Sequence, residues 1–384
     1  MSTHADRQLV LDGDCDRGFE KVRDAFVSNF EDGLEMGAAV AVYYRGKLVV
    51  DLAAGVRNRS IGAAYSRDTL QPVFSTTKGI TALAANMLAD RGQLDLDAPV
   101  SEYWPEFSAA GKGAIPVRWL LTHQSGVLGL DRTISPTELL DWNYVIDRVA
   151  AQKPDWEPGS KHGYHSLTYG FLVGEVIRRV SGRSVGQYVA SEIAGPLGAD
   201  FFIGLPRSQK PRVSTLMLEE TSGQPATPPD SGPYADRVFN WVSPPLPLLD
   251  TRRDDLWAAE IPAANGISNA RSIAKIFAAS IGAIDGVQLL SGPAMNRARA
   301  QQWRGFDEVM GVENALGLGY LLPTELGPLG GSGSFGTAGF GGSRGWAHPE
   351  LELAFGYAPN LCHLELNDPR EVALSRAAVE CVGL

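Results

Sequence analysis

Ser75 and Lys78, in the run Phe74-Ser75-Thr76-Thr77-Lys78, are the pair whose types and spacing point most directly to chemistry. Three positions apart at the start of a helix, a hydroxyl and an amine project from one face within hydrogen-bonding reach. A serine is a weak nucleophile at its own pKa and needs a neighbouring base, a task the amine can take. The positive end of a helix dipole and the free N–H groups there also favour negative charge on an attacked oxygen. The chemistry would be acyl transfer through a covalent intermediate, which needs no cofactor. The same four letters also arise as a helix-capping serine followed by an exposed lysine, so the surroundings have to decide.

Other residues compete for attention. Gly341-Gly342-Ser343-Arg344-Gly345 fits the G-x-S-x-G pattern, but that motif needs a strand, a sharp turn and a helix after the serine. Beyond Ser343 and Arg344 the chain reads Gly-Trp-Ala-His-Pro-Glu and then another strand-like run, with only His348 and His363 left to complete a Ser…Asp…His order. Ser343 is therefore read as a serine in a glycine-rich close approach rather than as the nucleophile. His123 and Ser125 in Thr122-His123-Gln124-Ser125-Gly126 come just after a helix and read as structural. Among the six His there is no HExxH, and Cys362-His363 alone is too little for a metal site.

The elements that must position Ser75 can be read from periodicity. Residues 15–31 carry Phe19, Val22, Phe26 and Phe30 at helical spacing, and GAAVAVYYRGKLVVDLAAG then reads as a hairpin turning at Arg45-Gly46. An extended run, Thr69–Phe74, leads into Ser75, and Lys78–Arg91 reads as a helix closed by Gly92. Helical patterns at 115–123, 136–151, 165–181, 184–195 and from Asn269 fill the middle. Leu205–Asp250 holds nine of the 24 prolines with Tyr234, Phe239 and Trp241 interleaved, the signature of a long irregular loop able to wall a pocket. Leu316–Pro323, Gly339–Ala347 and Leu351–Ala358 read as strands, and a final helix starts at Asp368-Pro369. The expectation is a discontinuous mixed α/β lobe, residues 1–74 and 275–384, around a mainly helical lobe, residues 75–274.

Bulk properties agree with a two-lobed globular protein. The chain has 384 residues, beyond the roughly 250–300 at which single cores stop growing. Its 44% apolar content, with eight Trp and fourteen Phe, suffices for a substantial core. A formal charge of -10 without a long Lys/Arg run argues against nucleic acid as a partner. The start, MSTHADRQLVLDGDCDRGF, lacks the unbroken apolar stretch of a secretory signal, and no later run is long enough to span a membrane. Three cysteines, Cys15, Cys362 and Cys381, lack CxxC spacing and suit a reducing compartment, so a cytoplasmic location is expected. Nothing in the sequence specifies an oligomeric state.

The segments FSTTKGITALAANMLADRGQLDLDAPVSEYWPEF, WLLTHQSG and WEPGSKHGYHSLTYGFLVGEVIRRVSG occur in the order typical of class C β-lactamase-like proteins. Over most of its length the chain resembles that superfamily, and within it the family VIII carboxylesterases. The resemblance implies a β-lactamase/transpeptidase-like fold of the α/β (α+β) class, an antiparallel sheet flanked by helices plus a helical lobe. It places Tyr164, in Gly163-Tyr164-His165-Ser166, on the second motif, where a tyrosine shares a proton network with the nucleophile and the lysine; Tyr169 is the alternative. His162 and His165, which flank Tyr164, either tune it or face solvent.

The third motif of the family, Lys-Thr-Gly or His-x-Gly, corresponds to Gly336-Thr337-Ala338-Gly339-Phe340. By this likeness the N–H groups of Ser75 and Phe340 would hold the oxyanion, and Thr337, Gly339 and Ser166 would bind substrate. Trp346 is expected to line the acyl pocket. Thr337 stands where a cation is usual, and Ser166 replaces an asparagine, departures that point away from anionic lactams and toward small neutral esters. The implied activity is a serine carboxylesterase acting on a small-molecule ester. The alternatives on the same residues are a β-lactamase or a D-aminoacyl peptidase, and a third is a catalytically silent binding protein of the same fold.

Overall fold

A computed structural model describes residues 9–218, 231–243, 253–363 and 367–383. Its largest sheet runs in the order Leu11–Cys15, Lys47–Asn58, Gly37–Tyr44, Leu353–Pro359, Arg344–His348 and Phe335–Ala338, antiparallel throughout, with Ala63–Ala64 paired beside Lys47–Asn58. Strands from both ends of the chain thus alternate in one layer. The hairpin turns at Arg45 and Gly46, both at positive φ (49° and 73°), the backbone a two-residue connection needs to match strand twist. A strand, Leu11–Cys15, precedes the helix expected over residues 15–31, which itself spans Glu20–Glu31.

The two faces of the sheet are built from different residues because side chains alternate along a strand. Val40, Val42, Leu52, Trp346, Phe355 and Tyr357 face the helices Glu20–Glu31 and Pro369–Glu380. Ala39, Ala41, Ala53, Ala347 and Ala354 face the other way, into the main core, where their small size lets the helix Ala270–Ile281 lie close. That helix crosses the 274/275 boundary expected from sequence and packs on the sheet through Ile273 and Phe277.

The helical lobe is organised around Thr76–Asp90, which is buried over almost its whole length and packs on Thr168–Ser181. The described parts of the proline-rich segment carry short regular elements. Within it Arg207–Arg212 is a 3-10 turn, Met217–Leu218 pairs in parallel with Leu361–Cys362, and Ala235–Phe239 is helical; residues 219–230 and 244–250 lie outside the described part. Tyr234 and Val238 pack with Trp156, Leu128 and Val309 beside Tyr164, while the described part of this segment contributes no residue to the lining of the pocket at Ser75. Among the described residues no helix is long and apolar enough to cross a membrane.

Candidate active site

Ser75 sits where a short strand hands over to the central helix. Gln71–Phe74 pairs with Gly266–Ser268, which in turn pairs with Phe201–Phe202. Phe74 then turns sharply, at φ 42°, a left-handed conformation that a bulky residue adopts only where its surroundings hold it. Thr77 does that holding: its hydroxyl donates to the Phe74 carbonyl and accepts from the Gly266 N–H at 2.8 Å. Ser75 occupies the N-cap position of Thr76–Asp90, yet its side chain makes no capping bond, and Lys78 is buried rather than exposed. Both halves of the capping alternative are therefore absent.

The Ser75 hydroxyl goes instead into a triangle. Its Oγ lies 2.5 Å from the Tyr164 hydroxyl and 3.2 Å from Lys78 Nζ, and Lys78 Nζ lies 2.8 Å from the Tyr164 hydroxyl. Lys78 also donates to the Ala263 carbonyl at 3.0 Å. Burial holds the Lys78 amine well below its ordinary pKa, and among the described residues no carboxylate pairs with it. Burial raises the Tyr164 phenol to about 12, with the charge of Asp307 adding to the rise and the Ser75 hydrogen bond opposing it. A neutral amine has two protons and one lone pair. With one proton on Ala263, a ring can close in either sense, and the one in which Lys78 can take the Ser75 proton has Tyr164 donating to Ser75, Ser75 to Lys78, and Lys78 to Tyr164.

Tyr164 is held from behind. Its N–H donates to Asp307 Oδ1 at 3.0 Å, and the same oxygen accepts from the N–H groups of Val309 and Met310. Asp307 Oδ2 meets His162 Nε2 at 3.0 Å and accepts from Asn314 Nδ2 at 2.9 Å. On the other side Ser125 Oγ meets His165 Nε2 at 2.9 Å and His165 Nδ1 donates to the Gly163 carbonyl at 2.7 Å, while the His165 N–H donates to His123 Nδ1 at 3.1 Å. His123 and Ser125 thus act as scaffolding for the Tyr164 loop, and burial keeps both His123 and His165 below the usual imidazole range. His162 and His165 are buried, which excludes solvent-facing placement. Tyr169 is fully buried, and its hydroxyl reaches the Lys78 carbonyl rather than Ser75.

The third-motif segment is a strand, Phe335–Ala338, followed by a turn, not the continuous strand from Gly339 that its composition suggested. Gly339 N–H donates to the Ser343 carbonyl at 2.8 Å and Gly342 N–H to the Gly339 carbonyl at 3.1 Å, closing the turn. A Cβ on Gly339 would lie 2.2 Å from the Val73 carbonyl and 3.0 Å from the Thr76 nitrogen, so glycine is what lets this turn reach the start of the nucleophile helix. Its own N–H is spent inside the turn, so Gly339 permits an approach rather than offering a substrate contact. Among the described residues neither the Ser75 nor the Phe340 N–H has a protein acceptor. Phe340 stacks edge-on against Phe74, 5.5 Å between centroids, which ties together the two segments bearing those free N–H groups.

Thr337 does line the cleft, beside Ser75, Lys78, Tyr164, Leu316, Leu321 and Ala338. Its hydroxyl donates to the Ser75 carbonyl at 3.3 Å, and it packs on Gly79, where any Cβ would come within 2.9 Å of it. Toward a substrate it offers a lone pair rather than a free proton. Trp346 is a correction: it is fully buried on the opposite face of the sheet, stacked on Phe355, with its indole N–H donated to Ser375 at 2.8 Å. Strand pairing explains this, because Trp346 sits opposite Gly336 while Thr337 sits opposite Gly345, so tryptophan and threonine point to different faces. Ser166 is half-buried but does not line the cleft. The cleft is small, about 60 Å³; an open groove of about 760 Å³ at Asn296, Arg299, Arg304 and Pro323 contains none of these groups.

Asp307, Asn314 and the Ala263 carbonyl had no signal at the level of motif. Asp307 begins a turn, Asp-Glu-Val-Met-Gly, in which it caps the N–H groups of Val309 and Met310, and such a turn is all that sequence could have offered.

Comparison with known proteins identifies the family. The chain is 35% identical to the Esterase/beta-lactamase LipL of Mycobacterium tuberculosis (strain ATCC 25618 / H37Rv), over 91% of this chain and 82% of that one. The crystal structure of a family VIII carboxylesterase superposes with a TM-score of 0.89 at 37% identity, covering 97% of this chain and all of the other. A novel penicillin-binding protein homolog from Caulobacter crescentus superposes equally well, TM-score 0.89 at 35% identity, with the same coverage. Residues 26–378 match the Beta-lactamase family, and the chain accordingly belongs to it, as a serine hydrolase of the β-lactamase/transpeptidase-like fold.

Proposed function

We propose that the protein is a carboxylesterase that hydrolyses small neutral esters through an acyl-enzyme on Ser75. The observation that carries this reading is the closed triangle of Ser75, Lys78 and Tyr164, with Lys78 buried and unpaired with any described carboxylate. Ser75 Oγ attacks the ester carbonyl as its proton passes to Lys78 Nζ, and the carbonyl electron pair moves to the oxygen. The N–H groups of Ser75 and Phe340 receive that oxyanion. As the tetrahedral adduct collapses, Tyr164 protonates the departing alcohol oxygen and is reprotonated from Lys78. Water then attacks the acyl-enzyme along the same proton route in reverse, which restores Ser75.

The preference for neutral substrates rests on the cleft lining. Thr337 supplies no cation for a substrate carboxylate, its hydroxyl proton is directed to the Ser75 carbonyl, and an acidic group, Asp307, lines the same cleft. The small cleft volume favours short acyl groups. The homologue's name pairs esterase with β-lactamase, so lactam hydrolysis is the comparison that matters. The test is a fluorophosphonate probe followed by digestion, alongside turnover of p-nitrophenyl acetate and nitrocefin. Labelling of Ser75, loss of turnover in Ser75→Ala and a preference for the acetate are expected. An unlabelled, inactive parent protein would mean a silent binding protein, and a preference for nitrocefin would overturn the substrate class.

A further inference from the structure

We infer that Ser343, the serine of the G-x-S-x-G string, is a positioning residue that sets the spacing between the two oxyanion-binding N–H groups. The inference rests on the oxyanion assignment above. Ser343 is buried and its hydroxyl donates to the Val73 carbonyl at 2.8 Å. With that one proton committed, its oxygen accepts from Thr76 Oγ1 at 3.0 Å, and the Thr76 hydroxyl also lies 3.2 Å from the Ser343 carbonyl. That same carbonyl accepts the Gly339 N–H at 2.8 Å. Ser343 therefore bonds the residues two before and one after Ser75 on one side, and closes the turn containing Phe340 on the other. The far side of the turn is held independently, by Arg370 Nη2 donating to the Gly341 carbonyl at 3.1 Å. With Gly341 fixed from behind, Ser343, together with the Thr337 hydroxyl on the Ser75 carbonyl, is a polar link that sets how near the Phe340 N–H stands to the Ser75 N–H.

This accounts for a motif that the nucleophile assignment leaves unused. The serine is required as a two-sided hydrogen-bonding group of small volume, since a Cβ at Gly339 would already approach its Oγ to 2.3 Å. Removing the hydroxyl does not delete either oxyanion donor; it lets the pair drift. The effect should therefore fall below the roughly 10²–10³-fold loss typical of deleting a donor. It should also appear where charge develops on the oxygen, not where the substrate first binds.

The experiment compares Ser343→Ala, Ser343→Cys and Thr76→Val with the parent in p-nitrophenyl acetate turnover, and measures inhibition by a small boronic acid, whose tetrahedral adduct places an oxygen in the same position. Ser343→Ala should lower kcat by about 10- to 100-fold with KM within twofold, and weaken the boronic acid by a similar factor. Thr76→Val should show part of that loss, and the double variant should be little worse than Ser343→Ala. Ser343→Cys, close in size but a weak donor, should fall between alanine and the parent, which guards against an alanine variant that fails to fold. Unchanged kcat and boronic acid affinity in folded Ser343→Ala or Ser343→Cys would overturn the inference while leaving Ser75 labelling, and the esterase reading, intact. Probe label on Ser343 instead of Ser75 would overturn both.

Discussion

Replacing Lys78 by methionine tests the protonation state on which the whole mechanism turns. The amine is enclosed, with three hydrogen-bonding neighbours and no described carboxylate, and burial holds its pKa well below the ordinary value. In the unfolded chain the same lysine titrates near 10.4. Between the two values the unfolded state carries a proton that the folded state lacks, so this residue makes the folded protein more stable as pH rises. The slope is about 1.4 kcal/mol per pH unit while the folded amine stays neutral, and it ends above about pH 10.4. Lys78→Met lacks that contribution. Its stability relative to the parent should be greatest at the acid end and decline by about 1.4 kcal/mol per pH unit on going from pH 8 to 10. The substitution also leaves the Ala263 carbonyl without its donor, a cost of about 1–3 kcal/mol that does not vary with pH. The slope, rather than the sign at any one pH, is therefore diagnostic. Urea unfolding of both proteins across that range measures it, with equal m-values as the check on two-state behaviour. A difference independent of pH would mean that Lys78 is charged in the folded protein, and a charged amine cannot take the Ser75 proton.

Two further outcomes are expected at the same site. Tyr164→Phe and Lys78→Ala should each lower kcat by at least about 10²-fold, and the double variant should be little worse than the poorer single one; additive losses in steady-state assays would refute a shared proton network. Thr337→Lys should improve kcat/KM for nitrocefin relative to p-nitrophenyl acetate by up to about tenfold, roughly 1.4 kcal/mol, and an unchanged ratio in folded protein would show that the side chain at 337 does not meet the substrate.

How far sequence reveals each feature depends on how local that feature is. Ser75 and Lys78 are one helical turn apart, so their meeting is a matter of helix geometry alone, and the helix that carries them is readable from its apolar run and the glycine at its end. The final helix, Pro369–Glu380, is legible for the same reason, through its Asp-Pro start and the Asp368 side chain that caps it. The segment after Ala338 is not. Its four glycines, single alanine and single tryptophan fit a strand as well as a turn, and only the pairing of Gly336 with Trp346 settles which face the tryptophan takes. Reading Gly339–Ala347 as one strand hides both the turn that presents Phe340 and the burial of Trp346 behind the sheet.

The chemistry of Lys78 lies further still from the reach of a motif. Spacing can say that an amine stands beside a hydroxyl, but whether that amine is a base depends on what does not stand near it. Its environment is assembled from residues 75–78, Tyr164 and Ala263, and Tyr164 is in turn fixed by Asp307, which lies 143 positions along the chain. Asp307 illustrates the consequence. It is a buried carboxylate in the lining of the same cleft, and had it paired with Lys78 it would have held the amine in its charged form. Instead five hydrogen-bonding neighbours occupy it: His162, Asn314 and three backbone N–H groups. The turn that saturates Asp307 anchors the tyrosine, while burial alone lowers the pKa of the lysine, so one residue outside every motif accounts for the position of the proton relay.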